Sequence, residues 1–332
     1  MSAQPSFERI AFFGTPEFAV PSLAALDSAG RRPIVVVSQP ARRAGRGNRL
    51  VEPPVARWAQ AHGVDLLQPT AVRSDEFLGR LGAMELDLAV VAAYGKIFPR
   101  GLLELPSWGC LNVHASLLPS WRGASPIQAA IAAGETVTGV TTMFMEEGLD
   151  TGPILLREEV TIGPLETAGE LAPRLAATGG RLLVHTLDGL EAGDVEPRPQ
   201  CEAAASYAPM LRPEDGVVDW DREAGEIVCR VRAYEPWPGS RTSLRGEAIR
   251  IAAARPVASF AGPDRGNGRD RPGAFLGCRE VEGIGRAAVV RCGGSSALAL
   301  DRVQRPGRRP VSGVDLANGL RLTVGERFGA RA

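Results

Sequence analysis

Over the first half of the chain, short continuous apolar runs alternate with stretches whose apolar residues recur at helical spacing. Arg9–Phe13, Pro33–Ser38, Leu66–Gln68, Leu86–Ala93, Trp108–Val113 and Val137–Met145 read as strands, most of them with the apolar continuity of strands buried on both faces. Phe18–Leu26, Val55–His62, Ser74–Leu81, Ser125–Ala133 and Thr167–Leu190 read as helices. Thr15 and Ser74 stand where N-caps belong, Pro16 suits a first helical position, and Gly179-Gly180 marks a weak point in the last helix. Strand, helix, strand in succession predicts an α/β fold with a doubly wound, mostly parallel sheet. There is no G-x-G-x-x-G, so no dinucleotide is inferred.

The pattern changes after Gly193–Ala208, where Pro197, Pro199 and the small residues Ala203–Ser206 read as a linker. Beyond it Ser243–Ile251, Ala287–Cys292 and Ala297–Val303 look like short strands separated by glycines, with Ala261–Pro272 as a loop among them. This predicts a smaller β-barrel. The expected organisation is a domain over 1–192, a linker over 193–208 and a second domain over 209–332.

Chemistry concentrates where the fifth apolar run ends. Asn112 and His114 are two apart, so on a strand they project to the same side. The strand Leu86–Ala93 runs into Tyr94-Gly95 at the same sheet edge, and ligands of open α/β sheets bind at that edge. An amide can donate to a carbonyl oxygen that gains charge, and an imidazole can move a proton near neutral pH. Asp150, in the Gly148–Gly152 stretch GLDTG, could orient that imidazole. Asn-x-His also fits a hydrogen-bonded strand end, and GLDTG a plain turn.

Composition and charge narrow the picture. Apolar residues make up 44% of the 332 and charged residues 23%, as in an ordinary soluble chain. No signal peptide or membrane span is expected. Five scattered cysteines without C-x-x-C fit reduced thiols in the cytoplasm, and three distant histidines argue against a zinc site. Residues 1–206 carry 17 basic and 23 acidic side chains, and residues 207–332 carry 21 and 15, so the second part is basic by six. Arg42, Arg43, Arg46 and Arg49 cluster in the Gly- and Pro-rich stretch Gln39–Pro54, whose apolar content is too low for a strand. Both features suit a polyanionic partner such as nucleic acid.

The motifs FFGTPEF (Phe12–Phe18), QPARRAGRG (Gln39–Gly47), AAYGKIFP (Ala92–Pro99), NVHASLLPSWRGASPIQ (Asn112–Gln128) and GLDTGPIL (Gly148–Leu155) resemble those of the methionyl-tRNA formyltransferase family of folate-dependent enzymes. So do YAPML (Tyr207–Leu211), DGVVDW (Asp215–Trp220), RAYEPWPGS (Arg232–Ser240) and QRPGRRPVSGVDLANG (Gln304–Gly319). The resemblance covers nearly the whole chain. It implies a Rossmann-like domain and an OB-like domain. It also implies transfer of the formyl group of 10-formyltetrahydrofolate to the α-amino group of methionyl initiator tRNA. Asn112, His114 and Asp150 would be catalytic. Ser116, Leu117, Leu118 and Pro119 would line the folate site, and strand order adds Ala93, Tyr94 and Gly95. Arg42, Arg43, Arg46, Arg49, Arg308 and Arg309 would contact tRNA, the first group at the acceptor stem. The transfer itself requires no metal, and the resemblance implies a monomer. Ala41 and Arg43 replace the Asp and Pro usual in the family's loop, and Met210 replaces a lysine. Rival expectations are a sugar-nucleotide, glycinamide-ribonucleotide or other small-amine formyltransferase, a formyl-folate hydrolase, or a non-catalytic tRNA-binding protein.

Overall fold

The structure is a computed structural model that describes residues 6–44, 49–257 and 271–329. Arg46 and residues 261–270 of the expected loop Ala261–Pro272 lie outside the described residues. The chain divides into two compact units. One comprises residues 1–126, 137–161 and 171–209, and the other 127–136, 162–170 and 210–332.

The first unit alternates strands and helices in chain order: β1 (Ile10–Gly14), α1 (Val20–Ser28), β2 (Val35–Val37), a ribbon of β3 (Arg42–Ala44) and β4 (Arg49–Val51), α2 (Pro54–His62), β5 (Asp65–Leu67), α3 (Asp75–Gly82), β6 (Leu88–Ala92), the one-turn α4 (Arg100–Leu103) and β7 (Cys110–His114). Then come the two-residue β8 (Arg122–Gly123), α5 (Pro126–Ala132), β9 (Val137–Phe144), β10 (Ile154–Thr161), α6 (Ala168–Ala192) and β11 (Tyr207–Ala208), of which α5 beyond Pro126 and the first three residues of α6 belong to the second unit. The main sheet has seven strands in the order β10-β9-β7-β6-β1-β2-β5. Pairs from β7 to β5 are parallel, whereas β9 is antiparallel to both its neighbours. Strands β1, β2 and β6 are buried throughout, which is why each reads as a continuous apolar run.

Several expectations are corrected. Thr15 does not cap a helix. Its hydroxyl donates to the Tyr94 carbonyl at 3.1 Å and accepts from the Gln39 N–H at 3.4 Å, tying together the ends of β1, β6 and β2. The chain after it makes a 3₁₀ turn, Glu17–Ala19, before α1. Ser74 does cap α3, its Oγ accepting from Phe77 N. Gly179-Gly180 does not weaken α6, which runs unbroken for 25 residues. A Cβ on Gly179 would meet Val113 at 2.8 Å, and one on Gly180 the Pro21 carbonyl oxygen at 2.8 Å. The pair lets helix, strand and helix approach closely. The stretch expected to hold no strand contains the β3–β4 ribbon, whose backbone pairing needs no core. Strand β10 was not foreseen. Beyond its first two residues its burial alternates, the mark of an edge strand with a wet face.

The second unit holds α7 (Ala224–Ala233), β12 (Ser240–Leu244), β13 (Glu247–Pro256), β14 (Phe275–Val281), β15 (Gly285–Arg291), β16 (Ala297–Gln304) and α8 (Gly313–Leu320). Its antiparallel sheet has the order β12-β13-β16-β15-β14. The C-terminal segment then bridges the two edges. Phe328 pairs with Leu244 and Arg327 with Ala274, so the sheet is drawn into a barrel-like form. Ile249, Ile251, Phe275, Val290, Leu298 and Leu300 fill it, and α7 adds Ile227 and Val231. The run expected as one strand, Ser243–Ile251, is instead a hairpin. Arg245 and Gly246, at φ 51° and 78°, make the tight turn that needs positive φ at both central residues.

Candidate active site

Strand β7 carries the polar pair. Asn112 and His114 project to one side of it, Asn112 half-buried and His114 only 6% exposed. The strand continues into the loop Ala115–Trp121. Thr141 on β9 fixes this loop, its Oγ1 donating to the Ser116 carbonyl at 2.7 Å and accepting from Leu118 N at 3.1 Å. Because β9 runs antiparallel to β7, its end lies beside Leu111 and away from His114. Residues 146–152 must therefore fold back for Asp150 to reach the pair. Glycine makes the fold possible: a Cβ on Gly152 would collide with the Phe144 carbonyl oxygen, and one on Gly148 with the Thr151 side chain.

Asp150 itself stands at φ 54°, in the left-handed region that non-glycine residues seldom occupy. Its Oδ2 accepts from the Gly123 N–H at 2.8 Å and lies 3.6 Å from His114 Nδ1. Its Oδ1 accepts from Asn112 Nδ2 at 3.4 Å. Amide, imidazole and carboxylate thus converge. The other imidazole nitrogen, Nε2, is 3.0 Å from the Trp121 carbonyl oxygen. A carbonyl oxygen only accepts, so Nε2 carries a proton, and Nδ1 is the nitrogen left for chemistry. Asn112 has a second N–H beyond the one aimed at Asp150, and it is available to a substrate oxygen.

The remaining expected site residues lie around this centre or apart from it. Ser116 and Leu118 are fully buried, whereas Leu117 and Pro119 are half-buried. Ser116 donates to the Ser120 carbonyl, and the Leu118 carbonyl accepts from Arg157. Ala93 and Gly95 are exposed at the end of β6. Tyr94 turns inward against Phe13 and Phe98, with ring centroids 5.4 and 5.9 Å away. Burial pushes its phenol up to about 12, and its hydroxyl has no hydrogen-bond partner among the described residues. The Tyr94 carbonyl accepts from Thr15 and Gln39. Arg42, Arg43 and Arg49 stand exposed on the β3–β4 ribbon, and Arg308 and Arg309 exposed after β16 in the second unit. Sequence reasoning missed Gln200, whose amide nitrogen donates to the carbonyls of Asp150 and Gly152. No periodicity or motif singles out a glutamine in a proline-bearing stretch.

Two family matches coincide with this architecture: Formyl transferase over residues 8–187 and Formyl transferase, C-terminal domain over residues 210–321. A methionyl-tRNA formyltransferase of Anaeromyxobacter dehalogenans strain 2CP-1 is 50% identical over 94% of this chain and 97% of its own. The chain belongs to the methionyl-tRNA formyltransferase family. Its member from Aromatoleum aromaticum is 44% identical over the whole of both chains. Among solved structures, HypX from Aquifex aeolicus in complex with tetrahydrofolic acid matches with a TM-score of 0.59 at 17% identity. That match covers 94% of this chain, which spans 47% of the longer HypX chain, and it shows that the family's fold is shared. Among the described residues no helix is long and apolar enough to cross a membrane.

Proposed function

We propose that this chain transfers the formyl group of 10-formyltetrahydrofolate to the free α-amino group of methionyl initiator tRNA, using Asn112, His114 and Asp150. The observation that carries the reading is the convergence of an amide, an imidazole and a carboxylate beside one strand end, with no side-chain nucleophile among them. Transfer to an amine needs none, because the amine is the nucleophile. The folate supplies the formyl carbon and the leaving nitrogen. As the amine adds, the free N–H of Asn112 donates to the oxygen that gains charge. His114 Nδ1 takes the proton the amine sheds, and Asp150 balances the imidazolium from 3.6 Å. The new carbon–nitrogen bond forms, the bond to the folate nitrogen breaks, and the proton ends on that nitrogen. The exposed Ala93 and Gly95, with half-buried Leu117 and Pro119, offer backbone polar groups and apolar side chains to a pterin. The exposed arginines of the ribbon and of the second unit suit tRNA phosphates.

The test is transfer of labelled formyl from 10-formyltetrahydrofolate to methionyl initiator tRNA, with His114→Ala run beside the native protein. Transfer that requires the aminoacylated tRNA and falls by at least about 10²-fold in the variant is expected. Folate binding without transfer to the tRNA would move the reading to another amine acceptor, such as a sugar nucleotide.

A further inference from the structure

Asp150 is held from two sides by neighbouring residues of β8, and only one hold is direct. Gly123 N–H grips its carboxylate at 2.8 Å. Arg122, the residue before, acts through Gln200. The Gln200 Nε2 donates to the carbonyl oxygens of Asp150 at 2.8 Å and Gly152 at 2.7 Å. Its Oε1 accepts from Arg122 Nε at 3.1 Å and Nη2 at 2.9 Å. We propose that Gln200 is a positioning residue for the transfer reaction, holding the Asp150 main chain so that the carboxylate stays on His114 and Asn112. The proposal rests on the function proposed above.

The chemistry leaves the glutamine one orientation. Arginine has only donors, and the two backbone carbonyls have only acceptors, so Oε1 must face Arg122 and Nε2 must face the loop. Arg122 cannot drift, because its side chain is fully buried and both oxygens of Glu202 receive its other N–H groups at 2.9 and 2.8 Å. The backbone of β8 is anchored in turn by parallel pairing with β11. What this chain of contacts secures is a costly conformation. Asp150 sits at φ 54°, in the left-handed region that an L side chain enters only against steric resistance, aspartate less than most. Such a conformation persists where its surroundings over-determine it. Without the two bonds from Gln200 the loop 148–152 relaxes, and the already long contacts at 3.4 and 3.6 Å are lost first. A displacement of about 1 Å at reacting groups is enough for a 10²-fold loss.

Gln200→Glu tests this. The variant keeps the side chain's size and the acceptor for Arg122, but turns an oxygen toward two carbonyl oxygens. We expect kcat to fall about 10–100-fold with KM for tRNA and for formyl-folate nearly unchanged, because no substrate contact is removed. In an Asp150→Asn background the same change should cost less than about 2-fold, since residues acting as one unit are not additive. Gln200→Met serves as a second variant and should behave alike. A native kcat in Gln200→Glu, or a full loss that persists in the Asp150→Asn background, overturns the proposal. So does failure of both variants to melt cooperatively, which would make the residue purely structural. Native protein that transfers no formyl group overturns the function itself, whereas active native protein with active Gln200→Glu overturns this inference alone.

Discussion

At the residue scale, the polar atoms of the candidate site are almost all committed, and the free ones define what it can do. His114 Nε2 faces the Trp121 carbonyl and Asp150 Oδ2 the Gly123 N–H. That leaves the second N–H and the carbonyl oxygen of the Asn112 amide and the Nδ1 edge of His114 for substrates. Asn112→Ala removes the amide donor without touching the imidazole, and its expected effect is a kcat lower by about 10²–10³-fold, or ~2.7–4 kcal/mol of barrier. Steady-state kinetics in both substrates checks it, because KM for tRNA should stay within about 3-fold when only a transition-state contact is lost. Asn112, His114 and Asp150 are legible in the sequence because two share a strand at a spacing of two and the third lies between glycines. Gln200 is not legible. Its role comes from amide orientation between Arg122 and two carbonyls, which no linear spacing encodes.

At the element scale, burial decides which strands and helices can be seen beforehand. Strands β1 and β6, and β7 apart from half-buried Asn112, are covered on both faces and announce themselves as apolar runs. Strand β10 and the β3–β4 ribbon have exposed side chains and are missed. The glycine pair of α6 illustrates the converse, where a local rule loses to packing. Gly180→Ala should gain up to about 1 kcal/mol in helix propensity. However, its Cβ would sit 2.8 Å from the Pro21 carbonyl oxygen, and overpacking against backbone costs about 1–3 kcal/mol. The expected net result is a lower midpoint in urea unfolding. A higher midpoint would mean that α1 yields readily at Pro21.

At the scale of the whole molecule, each unit is closed by contacts between distant parts of the chain. In the second unit Arg245, on the β12–β13 turn, pairs with Glu326 on the bridging segment at 2.7 Å. That hydrogen bond, together with those from Thr323, holds the Glu326 carboxyl down at about 2, against an ordinary 4.5. A depressed folded-state value means that the pair stabilises the fold above pH 4.5, and that the contribution drains away as pH falls toward 2. Glu326→Gln should therefore be less stable than the native chain at neutral pH, with the difference shrinking across that acid window. Denaturant melts of both proteins at matched pH values measure it, and a difference that stays constant with pH would show that the ion pair contributes nothing. The amino-acid sequence by itself determined the alternation of strands and helices, the mostly parallel first sheet, the barrel-like second one, and the residue types of the candidate site. Those follow from period, burial and short-range chirality, which are local. Only the tertiary structure decided the fold-back of Asp150, the nitrogen of His114 left for chemistry, the Arg122–Gln200 hold and the closure at Glu326. Apart from the His114–Trp121 contact, which spans seven residues, each of these joins residues dozens apart, and the bond that forms depends on which donors and acceptors the fold brings together.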